Sequence, residues 1–208
     1  VDDKPQLLRL VGSPGIGKTM LSTFLVKVLK KKIEKTSGKA LAYFFCDDKH
    51  QDRRTSTAII RSLIWQLLLQ RNELFEHARL DFEAQGNTLF ENFSALWRIF
   101  QCMLQDERDG EVFILIDALD ESEMTTRDGL LQSIGNLFKS AERTGNFKFL
   151  ITCRPEISDI ERQLKGFGTF LRVDSAKVNN DLFQYIDVKV NGLTDPRGIG
   201  YPSYLKDS

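Results

Sequence analysis

Residues 12–19 read Gly12-Ser13-Pro14-Gly15-Ile16-Gly17-Lys18-Thr19, and this stretch matches the pattern G-x-x-x-x-G-K-[ST] at every position. The apolar run at residues 7–11 predicts a short buried strand before it, and residues 20–29 predict a helix after it. Strand, glycine-rich loop and helix in this order are the context in which the pattern holds nucleotide phosphates. The alternative, a turn that merely joins a strand to a helix, explains neither the lysine nor the threonine. The sequence therefore predicts a phosphate loop in an α/β domain.

Each position of this loop has a physical task. The glycines remove Cβ atoms that would keep backbone N–H groups away from phosphate oxygens, and they tolerate positive φ. The helix that opens at Gly17 directs its partial positive end at the anion. Lys18 adds a mobile charge for the β- and γ-phosphates, and Thr19 would place its hydroxyl on Mg²⁺, which prefers oxygen ligands. The expected nucleotide contacts are Gly12, Ser13, Pro14, Gly15, Ile16, Gly17, Lys18, Thr19 and Met20.

An acidic cluster follows the apolar run at residues 111–116. The run predicts a buried strand that delivers Asp117 to the Mg²⁺ shell across from Thr19, so these two residues are the expected metal ligands. Asp120 and Glu121 lie just beyond, and one of them, with Glu121 preferred, would orient or deprotonate the attacking water. An acidic loop that caps the next helix is the alternative interpretation.

Residues 146–152 predict another buried strand, which runs into Cys153-Arg154-Pro155. Proline disfavours helical geometry at the residue before it, so Arg154 should lie at the carboxyl end of a strand, on the side of the phosphate loop. There it would contact the γ-phosphate or a neighbouring acidic group and stabilise charge as the terminal phosphate leaves. A surface salt bridge is the alternative. The expected catalytic residues are Lys18, Asp120, Glu121 and Arg154.

The remaining chain alternates strands and helices. Further strands are predicted at residues 40–46 and 169–173, and helices at residues 55–70, 73–84, 93–105, 125–140, 156–164 and 180–190. Trp65 lies near the apolar face of its helix, and we expect it to pack. From residue 191 glycine and proline break the periodicity, which predicts a linker or tail over residues 191–208 and one domain over residues 1–190.

Charge and composition exclude several classes of partner. Lys plus Arg and Asp plus Glu both number 29, so the formal net charge is zero, which gives no support to nucleic acid or a membrane as the main partner. The cysteines Cys46, Cys102 and Cys153 are far apart and lack any C-x-x-C spacing, so we expect no zinc site. No apolar run approaches the roughly 20 residues of a membrane span. An odd number of isolated cysteines favours a reduced, cytoplasmic protein.

These motifs resemble those of a NACHT domain, the nucleotide-binding core of the STAND class of signalling NTPases, and especially of fungal NACHT proteins with ankyrin or WD repeats. The resemblance rests on residues 12–19, 117–121 and 152–155, together with residues 42–46 and 62–67. It covers residues 5–190. It implies a three-layer P-loop NTPase fold, with a five-stranded parallel sheet in the order 2-3-4-1-5 flanked by helices. The strand that ends at Thr152 would lie between the two nucleotide-binding strands.

The resemblance also implies a function. The chain would be the switch module of an NLR-like signalling protein in innate immunity, which binds ATP or ADP with Mg²⁺, hydrolyses slowly and self-associates in the full-length protein. Ala118 is the small residue typical of the group after the first aspartate, and Arg154 matches the sensor of the terminal phosphate. The family normally continues into a helical bundle and a winged-helix region, which supplies a histidine contact to the nucleotide.

Three other functions compete with this interpretation. The first is a NACHT NTPase specific for GTP or GDP; the sequence holds no N-K-x-D stretch, which argues against a small GTPase but does not decide the base. The second is a nucleotide-binding interaction scaffold without significant turnover. The third, an AAA-like or helicase motor, ranks lower because a basic surface that tracks a nucleic-acid strand is not evident.

Overall fold

The computed structural model describes residues 6–34, 38–106, 110–140, 146–155 and 158–173. The chain divides into two compact units, residues 1–172 and 173–208, and the described residues other than Val173 all belong to the first unit. The helix predicted at residues 180–190 and the tail at 191–208 lie outside the described residues.

A parallel sheet forms the centre of the first unit. Its strands are β1 (Gln6–Gly12), β2 (Ala40–Phe45), β3 (Val112–Asp117), β4 (Phe147–Cys153) and β5 (Thr169–Val173). Their order is β2-β3-β4-β1-β5, which confirms the order that the resemblance implies. The strand β4 lies between β1 and β3, with Thr152 paired to Leu10 and Ile151 paired to Ile116. Because the strands are parallel, their carboxyl ends meet at one edge of the sheet.

Helices connect the strands. They are α1 (Lys18–Glu34), α2 (Ser56–Gln70), α3 (Glu76–Gln85), α4 (Phe93–Leu104), α5 (Met124–Ser140) and α6 (Ser158–Gln163), with short 3₁₀ turns at Gln51–Arg53, Asn72–Phe75, Gly86–Glu91 and Leu119–Glu121. The helix predicted from residue 73 begins as an α-helix only at Glu76. The Leu74 N–H donates to the Arg71 carbonyl, which closes a 3₁₀ turn directly after α2.

The sheet carries helices on both faces. The larger hydrophobic core joins Ala40, Ala42 and Phe44 to residues of α2, α4 and α5. The smaller core joins Leu41 and Leu115 to Val26 of α1. Successive strand residues point to opposite faces, so this alternation along β2 separates the two cores. The first unit therefore has the three-layer α/β fold that the resemblance implies.

The packing expected for Trp65 is wrong, because its side chain is 61% exposed. The residues of α2 that enter the core are Ile59, Ile60, Leu63, Ile64 and Leu67. Trp65 instead shares an outer stripe with Arg61 and Leu69, four residues away on either side.

Among the described residues, none of the helices combines the length and the apolar character that crossing a bilayer requires.

Candidate functional site

The phosphate loop connects the end of β1 to the start of α1. Gly15 and Gly17 have φ values of 77° and 92°, the left-handed region that residues with a Cβ rarely adopt. A Cβ at either position would meet no atom within 4 Å, so backbone conformation, rather than space, requires glycine there. Gly12 is instead the last residue of β1 and does not have positive φ.

Lys18 folds back onto the loop that precedes it. Its Nζ atom donates hydrogen bonds to the Gly12 carbonyl at 2.6 Å and to the Ser13 carbonyl at 3.0 Å. These bonds hold the ammonium group beside the end of β1. The Lys18 ammonium group, which is expected to contact phosphate, thus lies beside the first residues of the phosphate loop.

Asp117 ends β3 and is only 1% exposed. Its Oδ2 atom accepts a hydrogen bond from the Thr19 hydroxyl at 2.7 Å, so the two expected metal ligands are in direct contact. Its Oδ1 atom accepts from the Ser22 hydroxyl at 2.6 Å and from the Thr152 hydroxyl at 2.7 Å. Three donors offset the cost of burying this carboxylate.

Ser22 and Thr152 are site residues that the sequence reasoning missed. Ser22 follows Thr19 by three residues, so the two hydroxyls lie on one face of α1. Thr152 lies next to Asp117 on the neighbouring strand and also accepts a hydrogen bond from the Ala118 N–H at 2.8 Å. A polar residue at the carboxyl end of a strand, directly after the apolar residues 149–151, was the signal available for Thr152.

Ala118 turns the chain sharply after β3. Its φ and ψ are 52° and 47°, a left-handed conformation that is uncommon for residues other than glycine. The chain then forms the 3₁₀ turn Leu119–Glu121, and Asp120 and Glu121 of this turn line one cavity together with the phosphate loop.

Arg154 pairs with both candidate catalytic carboxylates. Its Nε atom lies 2.9 Å from Asp120 Oδ2, and its Nη2 atom lies 3.5 Å from Glu121 Oε1. Its backbone N–H also donates to Asp120 Oδ1 at 3.2 Å. The sequence predicted that Arg154 contacts either the γ-phosphate or a neighbouring acidic group. The structure contains the contact with acidic groups.

The two carboxylates have different environments. The Asp120 side chain is 4% exposed and is held by Arg154, whereas the Glu121 side chain is 32% exposed. Burial raises the pKa of Glu121, and the nearby charges of Asp120 and Asp48 raise it further. Carboxylate oxygens of Asp47, Asp48 and Glu121 lie within 4.8 Å of one another.

These groups surround a cavity of about 280 Å³. The phosphate loop and the start of α1 form one wall, and Ala118, Asp120, Glu121 and Arg154 form the other. An adjoining cavity of about 500 Å³ is lined by Thr19, Asp117 and the loop after β2. All four expected catalytic residues line the first cavity, as do Thr19 and Met20, whereas Gly12, Ser13 and Ile16 do not line it.

Cysteine chemistry is not available at this edge of the sheet. Cys46 and Cys153, at the ends of β2 and β4, are buried free thiols. Burial is the main cause that raises the pKa of the Cys153 thiol to about 12, and it raises the pKa of Cys46 as well. Both thiols therefore stay protonated near neutral pH and are poor nucleophiles.

A phosphate loop after β1, a buried aspartate at the end of β3 and a sheet in this strand order define the class of P-loop NTPases. The chain is similar in fold to the ORC1 protein of Aeropyrum pernix, solved in complex with DNA, with a TM-score of 0.55 and 16% identity over 89% of this chain and 44% of that one. It is also similar to Cdc6p from Pyrobaculum aerophilum, with a TM-score of 0.52 and 16% identity over 86% of this chain and 42% of that one. A Walker-type ATPase of Pyrococcus abyssi gives a TM-score of 0.50 and 16% identity, over 89% of this chain and 54% of that one.

Within this class, the chain belongs to the family described as "Nephrocystin 3, N-terminal", which matches residues 1–154, and it is a NACHT-type domain of the fungal kind. It is 33% identical over 166 residues to the vegetative incompatibility protein HET-E-1 of Podospora anserina. That match covers 78% of this chain and 12% of the relative. The chain is therefore a nucleotide-binding module of an NLR-like protein.

Proposed function

We propose that this domain is an ATP-binding, Mg²⁺-dependent switch that hydrolyses its nucleotide slowly. The observation that carries the proposal is the 2.7 Å contact between Thr19 and Asp117. It joins the phosphate loop to the end of β3 beside a cavity lined by Lys18, Glu121 and Arg154. This arrangement supports the proposal, because the candidate groups for binding phosphate, holding a cation and activating water are close to one another.

The donor set at this contact fits Mg²⁺. A threonine hydroxyl and a carboxylate are the oxygen ligands that this cation takes, and Thr19 and Asp117 would hold it. When bound, Mg²⁺ neutralises charge on the β- and γ-phosphate oxygens. Ser22 and Thr152 keep the Asp117 carboxylate in one orientation through their hydroxyl groups.

Glu121 is the residue proposed to act on the attacking water. It is more exposed than Asp120, and its raised pKa moves it towards the range in which a general base is effective. Asp120 is occupied by two bonds from Arg154. We therefore assign Glu121 to proton transfer and Asp120 to the placement of Arg154.

Arg154 supports a switch better than a fast enzyme. Its guanidinium is shared between Asp120 and Glu121, so a γ-phosphate must compete with two carboxylates for it. Arg154 would then favour one position when the terminal phosphate is bound and another when it is absent. The position of Arg154 would therefore depend on which nucleotide is bound. The competition also limits the stabilisation that Arg154 gives to the transition state.

We further propose that the full-length protein signals by self-association in the cytoplasm, with no nucleic acid or membrane as a direct partner of this domain. The description of HET-E-1 as a vegetative incompatibility protein supports a role in incompatibility, and we propose innate immune signalling from the NACHT resemblance. The three free thiols are compatible with a reducing compartment.

One experiment tests the nucleotide and the turnover together. The purified chain is denatured, and the released nucleotide is identified by chromatography. Phosphate release from ATP and from GTP is then measured with and without Mg²⁺, with Lys18→Ala as the negative control. We expect bound ADP or ATP and slow, Mg²⁺-dependent release from ATP. Guanine nucleotide would instead support a GTP-specific NTPase, and binding without release above the Lys18→Ala background would support a scaffold.

A further inference from the structure

We propose that Arg127 of α5 is a positioning residue for Glu121, and this inference rests on the hydrolytic function proposed above. The Arg127 side chain is buried, with 6% of the residue exposed. Its Nη1 atom donates hydrogen bonds to the Asp120 carbonyl at 2.9 Å and to the Ser122 carbonyl at 3.0 Å. Its Nε atom donates to Asp159 Oδ2 on α6 at 2.9 Å.

The two carbonyls bound by Arg127 lie on either side of Glu121. One nitrogen atom therefore binds the peptide group that joins Asp120 to Glu121 and the peptide group that follows Ser122. The turn itself contributes the bonds from the Glu121 N–H to the Ala118 carbonyl at 2.8 Å and from the Ser122 N–H to the Leu119 carbonyl at 3.1 Å. Without the Arg127 guanidinium, this short 3₁₀ turn loses its side-chain hydrogen bonds to α5.

Asp159 completes the arrangement. A buried guanidinium needs a charged partner, and Asp159, whose side chain is 19% exposed, supplies it. Asp159 lies on α6, which begins four residues after Arg154. Arg127 thus links the turn that carries Glu121 to the helix that follows Arg154, so it sets the relative position of the two proposed catalytic groups.

The contacts of Arg127 require the shape of a guanidinium. Its Nη1 and Nε atoms bind groups on two different segments at the same time, in a rigid planar fork. A lysine ammonium is a single point donor and cannot serve both segments in this geometry. Retaining the positive charge alone should therefore not retain the function.

The test compares Arg127→Lys, Arg127→Gln and Asp159→Asn with the matched control Arg162→Gln. Arg162 pairs with Asp128 at 3.8 Å and connects α6 to α5 as well, but these side chains are 71% and 57% exposed. For each variant we would measure kcat, KM and nucleotide Kd, the thermal midpoint, and amide hydrogen exchange at Glu121 and Ser122.

Both Arg127 variants should lower kcat by about 10- to 100-fold, since a displacement near 1 Å has effects of this size. Nucleotide Kd should change by less than about threefold, because a positioning residue acts on the chemical step. Exchange at the Glu121 and Ser122 amides should rise about tenfold or more. Asp159→Asn should give a smaller loss of the same kind, and Arg162→Gln should match the wild type. Arg127→Lys and Asp159→Asn keep the test decisive if Arg127→Gln does not fold.

Wild-type kcat in Arg127→Lys, or equal losses of kcat and nucleotide binding that follow the thermal midpoint, would overturn the proposal. If the wild-type chain itself releases no phosphate, the proposed hydrolysis fails, and hydrogen exchange alone decides on Arg127. Wild-type exchange at the Glu121 amide of the Arg127 variants would then reject the positioning role. Faster exchange confined to the Glu121 and Ser122 amides would support it.

Discussion

Arg154 holds Asp120 through two separate bonds, a 2.9 Å contact from its Nε atom to Oδ2 and a 3.2 Å hydrogen bond from its backbone N–H to Oδ1. The backbone bond fixes Asp120 whatever the guanidinium does. The turn Leu119–Glu121 also has its own backbone hydrogen bonds, so the side-chain contact is not its sole support. In the proposed switch, the Arg154 guanidinium would exchange a carboxylate for the terminal phosphate while its backbone N–H stays bound to Asp120.

Arg154→Ala should lessen the discrimination between triphosphate and diphosphate. The Arg154 guanidinium is the contact that we propose for the terminal phosphate alone, and its loss should reduce the ratio of triphosphate to diphosphate affinity by about tenfold, or roughly 1.4 kcal/mol. Calorimetry with ADP and a non-hydrolysable ATP analogue measures this ratio. Arg79→Ala, on the exposed face of α3, is the control. An unchanged ratio would leave Arg154 with a purely structural role.

Lys18→Ala should weaken triphosphate binding by about 10- to 100-fold, because a charge-assisted hydrogen bond contributes roughly 1.5–3 kcal/mol. Calorimetric titration with the ATP analogue gives the change in Kd. Lys27→Ala removes an exposed charge from the same helix and should have little effect. Equal affinity in the wild type and Lys18→Ala would contradict the phosphate-loop assignment.

Glu121→Gln should spare nucleotide binding and lower kcat by about 10²- to 10⁴-fold, the range for loss of a general base. Asp120→Asn should act differently, because it removes the charge of the buried Asp120 side chain that accepts from both the backbone N–H and the guanidinium of Arg154, and so lowers the thermal midpoint as well. Steady-state phosphate release and thermal unfolding separate these effects. If Asp120→Asn abolishes turnover at full stability while Glu121→Gln stays active, the roles of the two carboxylates are reversed.

The pH dependence of hydrolysis should report Glu121. Burial and the charges of Asp120 and Asp48 raise its pKa, so it takes up a proton at a higher pH than an ordinary glutamate. The rate should therefore begin to fall, on acidification, above the usual glutamate range. Asp48→Asn removes one repelling charge and should move this acidic limb of the kcat–pH profile to lower pH. A shift in the opposite direction, or none relative to the control Asp52→Asn, would count against Glu121 as the base.

Ser22→Ala and Thr152→Val should each destabilise the fold, by about 1–3 kcal/mol, because each leaves the buried Asp117 carboxylate with one donor fewer. Urea unfolding measures the free energy. Ser133→Ala is the control, since its hydroxyl only donates to the Gly129 carbonyl within α5. A loss in Ser22→Ala no larger than in the control would show that Asp117 does not depend on this bond.

The strands, the helices and the phosphate loop could be predicted because their signals are local. An apolar run marks a buried strand, helical periodicity marks a face, and positive φ at Gly15 and Gly17 requires glycine whatever surrounds it. Trp65 shows the limit of this reasoning. The sequence placed it near an apolar stripe, but only the packing of α2 on the sheet decides which side of that stripe is covered.

The partners of the site residues depend on the tertiary structure. Thr19, Asp117 and Thr152 come from three segments that meet only because β4 inserts between β1 and β3. Arg127 gave no signal in the sequence, because an arginine on a helix is ordinarily a surface residue. The sequence by itself determined that a phosphate loop and acidic strand ends exist. Only the tertiary structure decided which hydroxyls hold Asp117, that Arg154 is shared between two carboxylates, and that Arg127 holds the turn around Glu121, since these contacts join residues far apart in the chain.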